Sequence, residues 1–188
     1  MLELGFAHGV STCYLAAAVA ANGGGSVLTF DNRTALVRSP SIAELLDHLE
    51  LEAFVTPVFA ERSYTWELMK LIEIHTRAGM CRPAFDFCFI DGAHSWEVDG
   101  FAFFLVEKLL LPGSWMLFDD LDWTFATSPA LGHTAMVRSM PIAERVTPQI
   151  GRVFDLLVRQ HSNVDEFRMD GSWGWAHKRQ HHEIREEV

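Results

Sequence analysis

Short apolar runs alternate with stretches of helical periodicity along the whole chain. The runs at 85–91 (FDFCFID) and 114–119 (SWMLFD) are almost continuously apolar, as strands buried on both faces require. Similar runs stand at 1–4 (MLEL), 26–31 (SVLTFD) and 53–59 (AFVTPVF). Pro57 in the last has no N–H to give a ladder and predicts an edge strand. Helical patterns fill the gaps. One is capped by Ser11 or Thr12 and runs to Ala21, where Gly23, Gly24 and Gly25 end it. Others cover 41–50, with a serine at the start, and 64–78. Over 95–110, Val98, Ala102, Leu105 and Leu109 share one face, and Pro112-Gly113 supplies the stop. Ile142, Val146, Ile150, Val153 and Leu157 mark a further amphipathic helix. Two runs close the pattern, 164–169 (VDEFRM) and 172–178 (SWGWAHK), joined by the turn dipeptide Asp170-Gly171.

Seven strand-like runs in βα order with a closing hairpin predict an α/β fold. The expected architecture is a Rossmann-like, mostly parallel seven-stranded sheet with helices on both faces and a C-terminal antiparallel hairpin. It fills 1–180 as a single domain, followed by a charged tail over 181–188; no linker or repeat divides the chain. In such sheets ligands bind beyond the carboxyl ends of the strands. Glu3, Asp31, Asp91 and Asp119 each close a predicted strand at that edge. The first turn, LELGFAHGVS (2–11), adds Gly5 and Gly9 four apart before an Ala-rich helix, an arrangement that lets a ligand approach the backbone. Ala7 stands where the dinucleotide fingerprint G-x-G-x-x-G has its second glycine, so another nucleotide-like ligand is expected.

Composition narrows the classes. Fifteen basic against 25 acidic residues leave a formal charge of -10, which argues against a nucleic-acid partner. No run reaches the length of a membrane span. The apolar stretch Cys13–Ala21 has no Lys or Arg before it, and Glu3 stands where a signal peptide is positive, so it reads as a helix. Three cysteines, Cys13, Cys81 and Cys88, cannot all pair and read as reduced thiols of a cytoplasmic protein.

The chain resembles the class I S-adenosylmethionine-dependent methyltransferases from LELGFAHGVS to SWGWAHKR. Their first turn, E-x-G-x-x-x-G, is matched by Glu3, Gly5 and Gly9, with Ser11 beginning the helix. The resemblance implies that this turn packs against the methionine end of the cofactor. It implies that Asp31 takes the ribose hydroxyls, for which a carboxylate is a suitable acceptor, and that the AERS stretch offers Glu61, Arg62 or Ser63 near the adenine. The segment 89–123 (FIDGAHSWEVDGFAFFLVEKLLLPGSWMLFDDLDW) further resembles metal-dependent small-molecule O-methyltransferases, both the catechol type and those acting on natural-product sugars. By that resemblance Asp91, beside the cofactor, joins Asp119 and Asp120 in holding Mg²⁺, a hard cation that prefers oxygen ligands.

Where catechol-type enzymes carry a lysine base, three residues after the first metal acid, this chain has His94. A neutral imidazole, with an ordinary pKa of about 6.5, can accept a hydroxyl proton near neutral pH. Asp120 replaces the family's frequent asparagine, and the N-terminal helices that cover the site in the family have no counterpart before Glu3. The implied activity is methyl transfer to a hydroxyl of a small molecule. Two alternatives stand beside it: a sugar-nucleotide transferase built on the triplet Asp120-Leu121-Asp122, and a truncated, non-catalytic cofactor-binding module. Each proposed site residue also has a plain structural reading, as a tight turn, a helix cap or a solvated loop acid. Trp96, Trp123 and Phe125 flank the site, and exposed aromatics of this kind suit a homodimer.

Overall fold

The computed structural model describes residues 1–180; the charged tail expected at 181–188 lies outside the described residues. In chain order the elements are β1 (Leu2–Leu4), α1 (Val10–Ala21), β2 (Val27–Asn32), α2 (Ile42–Leu49), β3 (Val55–Ala60), α3 (Tyr64–His75), β4 (Thr76–Arg77), β5 (Met80–Cys81) and β6 (Phe85–Ile90). There follow α4 (Trp96–Leu109), β7 (Leu110–Phe118), α5 (Ala135–Ser139), α6 (Ile142–Val146), α7 (Gln149–Val153), β8 (Val164–Asp170) and β9 (Trp173–Lys178). Seven strands form one sheet in the order β3-β2-β1-β6-β7-β9-β8. The first five are parallel, and β9 and β8 add as the antiparallel hairpin. The expected Rossmann-like fold is the one observed, with β3 and its Pro57 on an edge.

Two hydrophobic clusters sandwich the sheet. One joins Phe6, Cys13, Ala16 and Val19 to Ile42, Leu46 and Val55, so that α1 and α2 pack over β1 to β3. The other unites Leu2, Leu4, Cys88, Ile90, Met116 and Phe118 with Leu68 of α3, Phe103 of α4 and Val153 of α7. Among the described residues no helix is long and apolar enough to cross a membrane.

Several local expectations are corrected. Helix α1 begins at Val10 with Gly9, in the left-handed region and without a side chain to cap with, as its N-cap; Ser11 and Thr12 lie inside the helix, and the Thr12 hydroxyl donates to Glu3. Helix α3 stops at His75, where Ala78 and Gly79, both at positive φ, turn the chain through the small β4–β5 hairpin. The buried face of α4 is formed by Asp99, Gly100, Ala102, Phe103, Val106 and Leu109, turned from the predicted one so that Val98 and Leu105 lie on its flank. Pro112 and Gly113 do not end that helix; they lie inside β7, which starts directly at Leu110. The ladder with β6 is irregular there, and pairing with β9 begins only at Trp115, so the missing Pro112 N–H costs no bond to β9. The single helix expected through 142–157 is broken at Pro148, whose ring disfavours helical backbone at Thr147. Ile142 and Val146 are consequently exposed. The closing hairpin turns at Gly171–Ser172, one residue beyond the expected dipeptide, because Asp170 pairs with Trp173.

Candidate active site

The β1–α1 turn is built by close approach. The Gly5 N–H donates to the Phe30 carbonyl (2.7 Å), and Gly5 sits at φ +89°, where a Cβ would lie 1.9 Å from the Asp91 carbonyl oxygen. At Gly9, φ +95°, a Cβ would lie 2.7 Å from the Ile42 side chain. Both glycines are therefore required by packing and by a backbone region that other residues avoid. Between them the turn drapes over Asp31. Phe6 N–H (3.1 Å) and Ala7 N–H (2.7 Å) donate to Asp31 Oδ2, and Asn32 N–H donates to Oδ1 (2.6 Å). Three of about four acceptor positions on that carboxylate are filled, leaving room for one ligand hydroxyl rather than two.

Glu3 does not close its strand, as the pattern suggested; it lies within β1 and has no exposed surface. Its Oε2 accepts from Thr12 Oγ1 (2.5 Å) and Thr29 Oγ1 (2.6 Å), while Oε1 is buried with no hydrogen-bond partner among the described residues. Burial pushes its pKa up against the pull of Thr12, Thr29 and the half-buried Ser11. Glu3 thus ties β1, β2 and α1 together beneath the turn. Ser63 is the N-cap of α3, accepting from Thr65 N–H (3.2 Å), and lines a hollow of about 580 Å³ with Glu61, Arg62 and Trp66.

The second half of the site extends the ladder past the strands. Asp91 N–H donates to the Leu4 carbonyl (2.8 Å) and Asp119 N–H to the Ile90 carbonyl (3.1 Å), so the three strand ends stand in step. Beyond them His94 (φ 57°) and Asp120 (φ 59°) are both left-handed, which is uncommon for residues other than glycine. Those two turns bring His94 Nε2 to 2.8 Å from Asp120 Oδ2 and 3.5 Å from Asp91 Oδ1. Asp91, His94 and Asp120 each offer a ligand atom, all within 4.8 Å of one another. Asp119 stands beside this group with Oδ1 accepting the Asp120 N–H (2.7 Å). The His94 ring packs on Trp123 (centroids 4.7 Å), which in turn packs on Phe125 (4.9 Å). Trp96 meets the site through its backbone, its N–H donating to Gln149 Oε1 (2.7 Å).

Burial of neighbouring acids is the main electrostatic feature. Burial and the neighbouring Asp119 raise the Asp91 pKa to about 7, with His94 pulling against them. Burial likewise raises Asp119. The folded state therefore holds the Asp91 proton more tightly than the unfolded chain. Stability from this group is greatest below the ordinary carboxylate pKa and is lost as the pH rises to about 7. The full difference corresponds to about 4 kcal/mol. With the side chain 31% exposed, solvent screening reduces the expectation to about 2 kcal/mol. Because the unfolded carboxylate is already ionised at pH 5, only about 1 kcal/mol of that loss falls between pH 5 and pH 8. In denaturation of metal-free protein at the two values, Asp91→Asn should flatten the parent's decline by that amount, and an equal decline in both proteins refutes it.

Two buried side chains at the site went unread from sequence, Tyr64 and Asp99, because they are 35 residues apart and belong to no motif. The available signal was a lone acid on the apolar face of α4.

The strand order, the glycine turn and the acids at the carboxyl edge define a Rossmann-like fold of the methyltransferase type. Residues 2–121 match the model of a family described as a methyltransferase domain, and the chain belongs to that family. Solved structures agree in fold. The O-methyltransferase TomG of Streptomyces achromogenes, involved in tomaymycin synthesis and solved with S-adenosylmethionine, is 19% identical with a TM-score of 0.60, over 95% of this chain and 72% of that one. An O-methyltransferase of Bacillus cereus, solved with S-adenosylhomocysteine, is 20% identical with a TM-score of 0.62, over 95% and 73%. MycE of the mycinamycin pathway, solved with Mg, S-adenosylhomocysteine and mycinamycin VI, is 15% identical with a TM-score of 0.58, over 95% of this chain and 44% of that one. No curated protein sequence matches the chain. The family match leaves the sugar-nucleotide reading of Asp120-Leu121-Asp122 without support, and Asp122 is exposed outside the Asp91–His94–Asp120 group.

Proposed function

We propose that the protein transfers a methyl group from S-adenosylmethionine to a hydroxyl of a small molecule with the help of Mg²⁺. The observation that carries this reading is the meeting, at one sheet edge, of the glycine turn over Asp31 with the Asp91–His94–Asp120 group. The residues fit both groups. The turn packs on the Asp91–Gly92 backbone as only glycine permits, and Asp31 beneath it keeps one acceptor position for a ribose hydroxyl. Burial makes Asp91 and Asp119 hold protons more tightly than ordinary carboxylates, and with the neighbouring Asp120 they form an oxygen donor set suited to a hard divalent cation. Bound there, the cofactor supplies an activated methyl group and Mg²⁺ makes an acceptor hydroxyl more acidic.

The chain's own residues supply orientation and a base. Asp120 accepts from His94 Nε2 in the tautomer that leaves Nδ1 bare, and the bond, with Trp123 against the ring, holds the imidazole at the site. With the donor bound, His94 Nδ1 would accept the proton that the hydroxyl gives up on methylation. Trp123 and Phe125 exclude water from one side. Solvated acids at a strand edge would serve a binding module equally well, so turnover separates the two. Calorimetric titration of the protein with S-adenosylmethionine, with and without Mg²⁺, should give saturable heat, and none at millimolar cofactor refutes the reading. Methyl transfer to a hydroxyl acceptor should then fall at least about tenfold on chelation. Activity indifferent to chelator removes the metal and leaves a metal-free methyltransferase.

A further inference from the structure

The loop between β6 and α4 owes its shape to a buried pair outside it. Tyr64, the first residue of α3, is 6% exposed, and Asp99, in the first turn of α4, is fully buried. The Tyr64 hydroxyl donates to Asp99 Oδ1 and accepts the Ala93 N–H (3.1 Å). The other carboxylate oxygen, Asp99 Oδ2, accepts the Ser95 N–H (2.9 Å). The pair therefore captures the backbone donors on either side of His94, while His94 itself is at φ 57°. Gly92 completes the clamp: a Cβ there would lie 2.4 Å from the Tyr64 hydroxyl, so the phenol rests directly on the loop backbone.

A left-handed histidine persists only where its surroundings over-determine it. Here two hydrogen bonds and one close packing contact do so, and the outcome is the Nε2 position 2.8 Å from Asp120. We infer that Tyr64 and Asp99 are positioning residues for His94, fixing its imidazole through the Gly92–Ser95 backbone, a role that rests on His94 being the base proposed above. Burial raises the proton affinity of Asp99, and its bonds from Tyr64 and Ser95 oppose that rise. A purely structural pair would hold α3 to α4; this one instead spends two of its bonds on the loop that carries the imidazole.

Tyr64→Phe removes one hydroxyl, and Asp99→Asn leaves one acceptor where two were, so that either the Tyr64 hydroxyl or the Ser95 N–H loses its partner. Ring-nitrogen NMR of the histidines follows the imidazole without any acceptor. In whichever of the two variants folds, the His94 ring signals should move while those of His177, on the distant hairpin, stay in place. Unmoved His94 signals in a folded variant overturn the role. With an acceptor in hand, Tyr64→Phe should lower kcat roughly tenfold at unchanged cofactor affinity, as misplacement of a catalytic group does. That loss should vanish in a His94→Ala background; an undiminished loss there overturns the role. A parent protein that transfers no methyl group refutes the proposed function alone, and the ring signals still decide the positioning.

Discussion

Gly5→Ala is expected to destabilise the protein by at least about 4 kcal/mol, in the range reserved for severe steric or polar defects. The added Cβ would lie 1.9 Å from the Asp91 carbonyl oxygen, 2.7 Å from its carbon and 2.8 Å from Gly92 Cα, all of them backbone. None of these atoms can retreat cheaply. Gly5 is held to Phe30, and Asp91 to Leu4, by the hydrogen bonds that extend the sheet. A positive φ adds about 1 kcal/mol for any residue with a Cβ. Gly23→Ala isolates that smaller cost, because at φ +82° nothing among the described residues lies within 4 Å of its Cβ position. Urea denaturation of the two variants should separate them by about 3 kcal/mol or more, with Gly5→Ala unfolded at the extreme. Equal losses would show that the close contact between the two turns is not what demands glycine. Because the same turn carries the amides that fix Asp31, any folded Gly5→Ala protein should also lose cofactor binding.

His94→Ala should reduce methyl transfer by about 10²- to 10⁴-fold, the usual range for loss of a general base. The imidazole is half-buried and makes its polar contacts with Asp91 and Asp120, so its removal leaves the sheet and both cores untouched. Melting temperature and cofactor affinity should stay close to the parent values. His94→Lys is the informative companion, since lysine stands at that position in the catechol-type relatives the chain resembles. It should retain more activity than the alanine variant and shift the pH optimum upward, because an amine gives up its proton at far higher pH than an imidazole. Initial rates across pH with labelled cofactor measure both effects. A loss below threefold in His94→Ala moves the base elsewhere.

Much of this could be read from the residue order alone, for a local reason. Strand and helix follow from periodicity, and periodicity is a property of near neighbours. The β1–α1 turn, the edge position announced by Pro57 and the line of acids at Asp31, Asp91 and Asp119 were all legible in that way. Helix ends were less so. Ala78-Gly79 ended α3 and Pro148 divided the helix expected through 142–157, although both signals were present in the chain. The apolar spacing of 64–78 and 142–157 favours longer helices, but backbone geometry outweighs spacing in the fold.

The orientation of side chains within the site had no local signal. Alternation along a buried three-residue strand turns Glu3 inward onto Thr12 and Thr29, and no motif distinguishes a carboxylate that faces a ligand from one that faces the core. Asp31 is filled by amides from a turn 24 and 25 residues away. His94 meets Asp120 across 26 residues, and Tyr64 meets Asp99 across 35. Residue order thus specified the scaffold and the kinds of group along its edge, since those depend on spacing along the chain. Which groups touch, and which remain free to bind, was set by parallel strands bringing remote segments into register and by left-handed turns at Ala7, His94 and Asp120 that aim them.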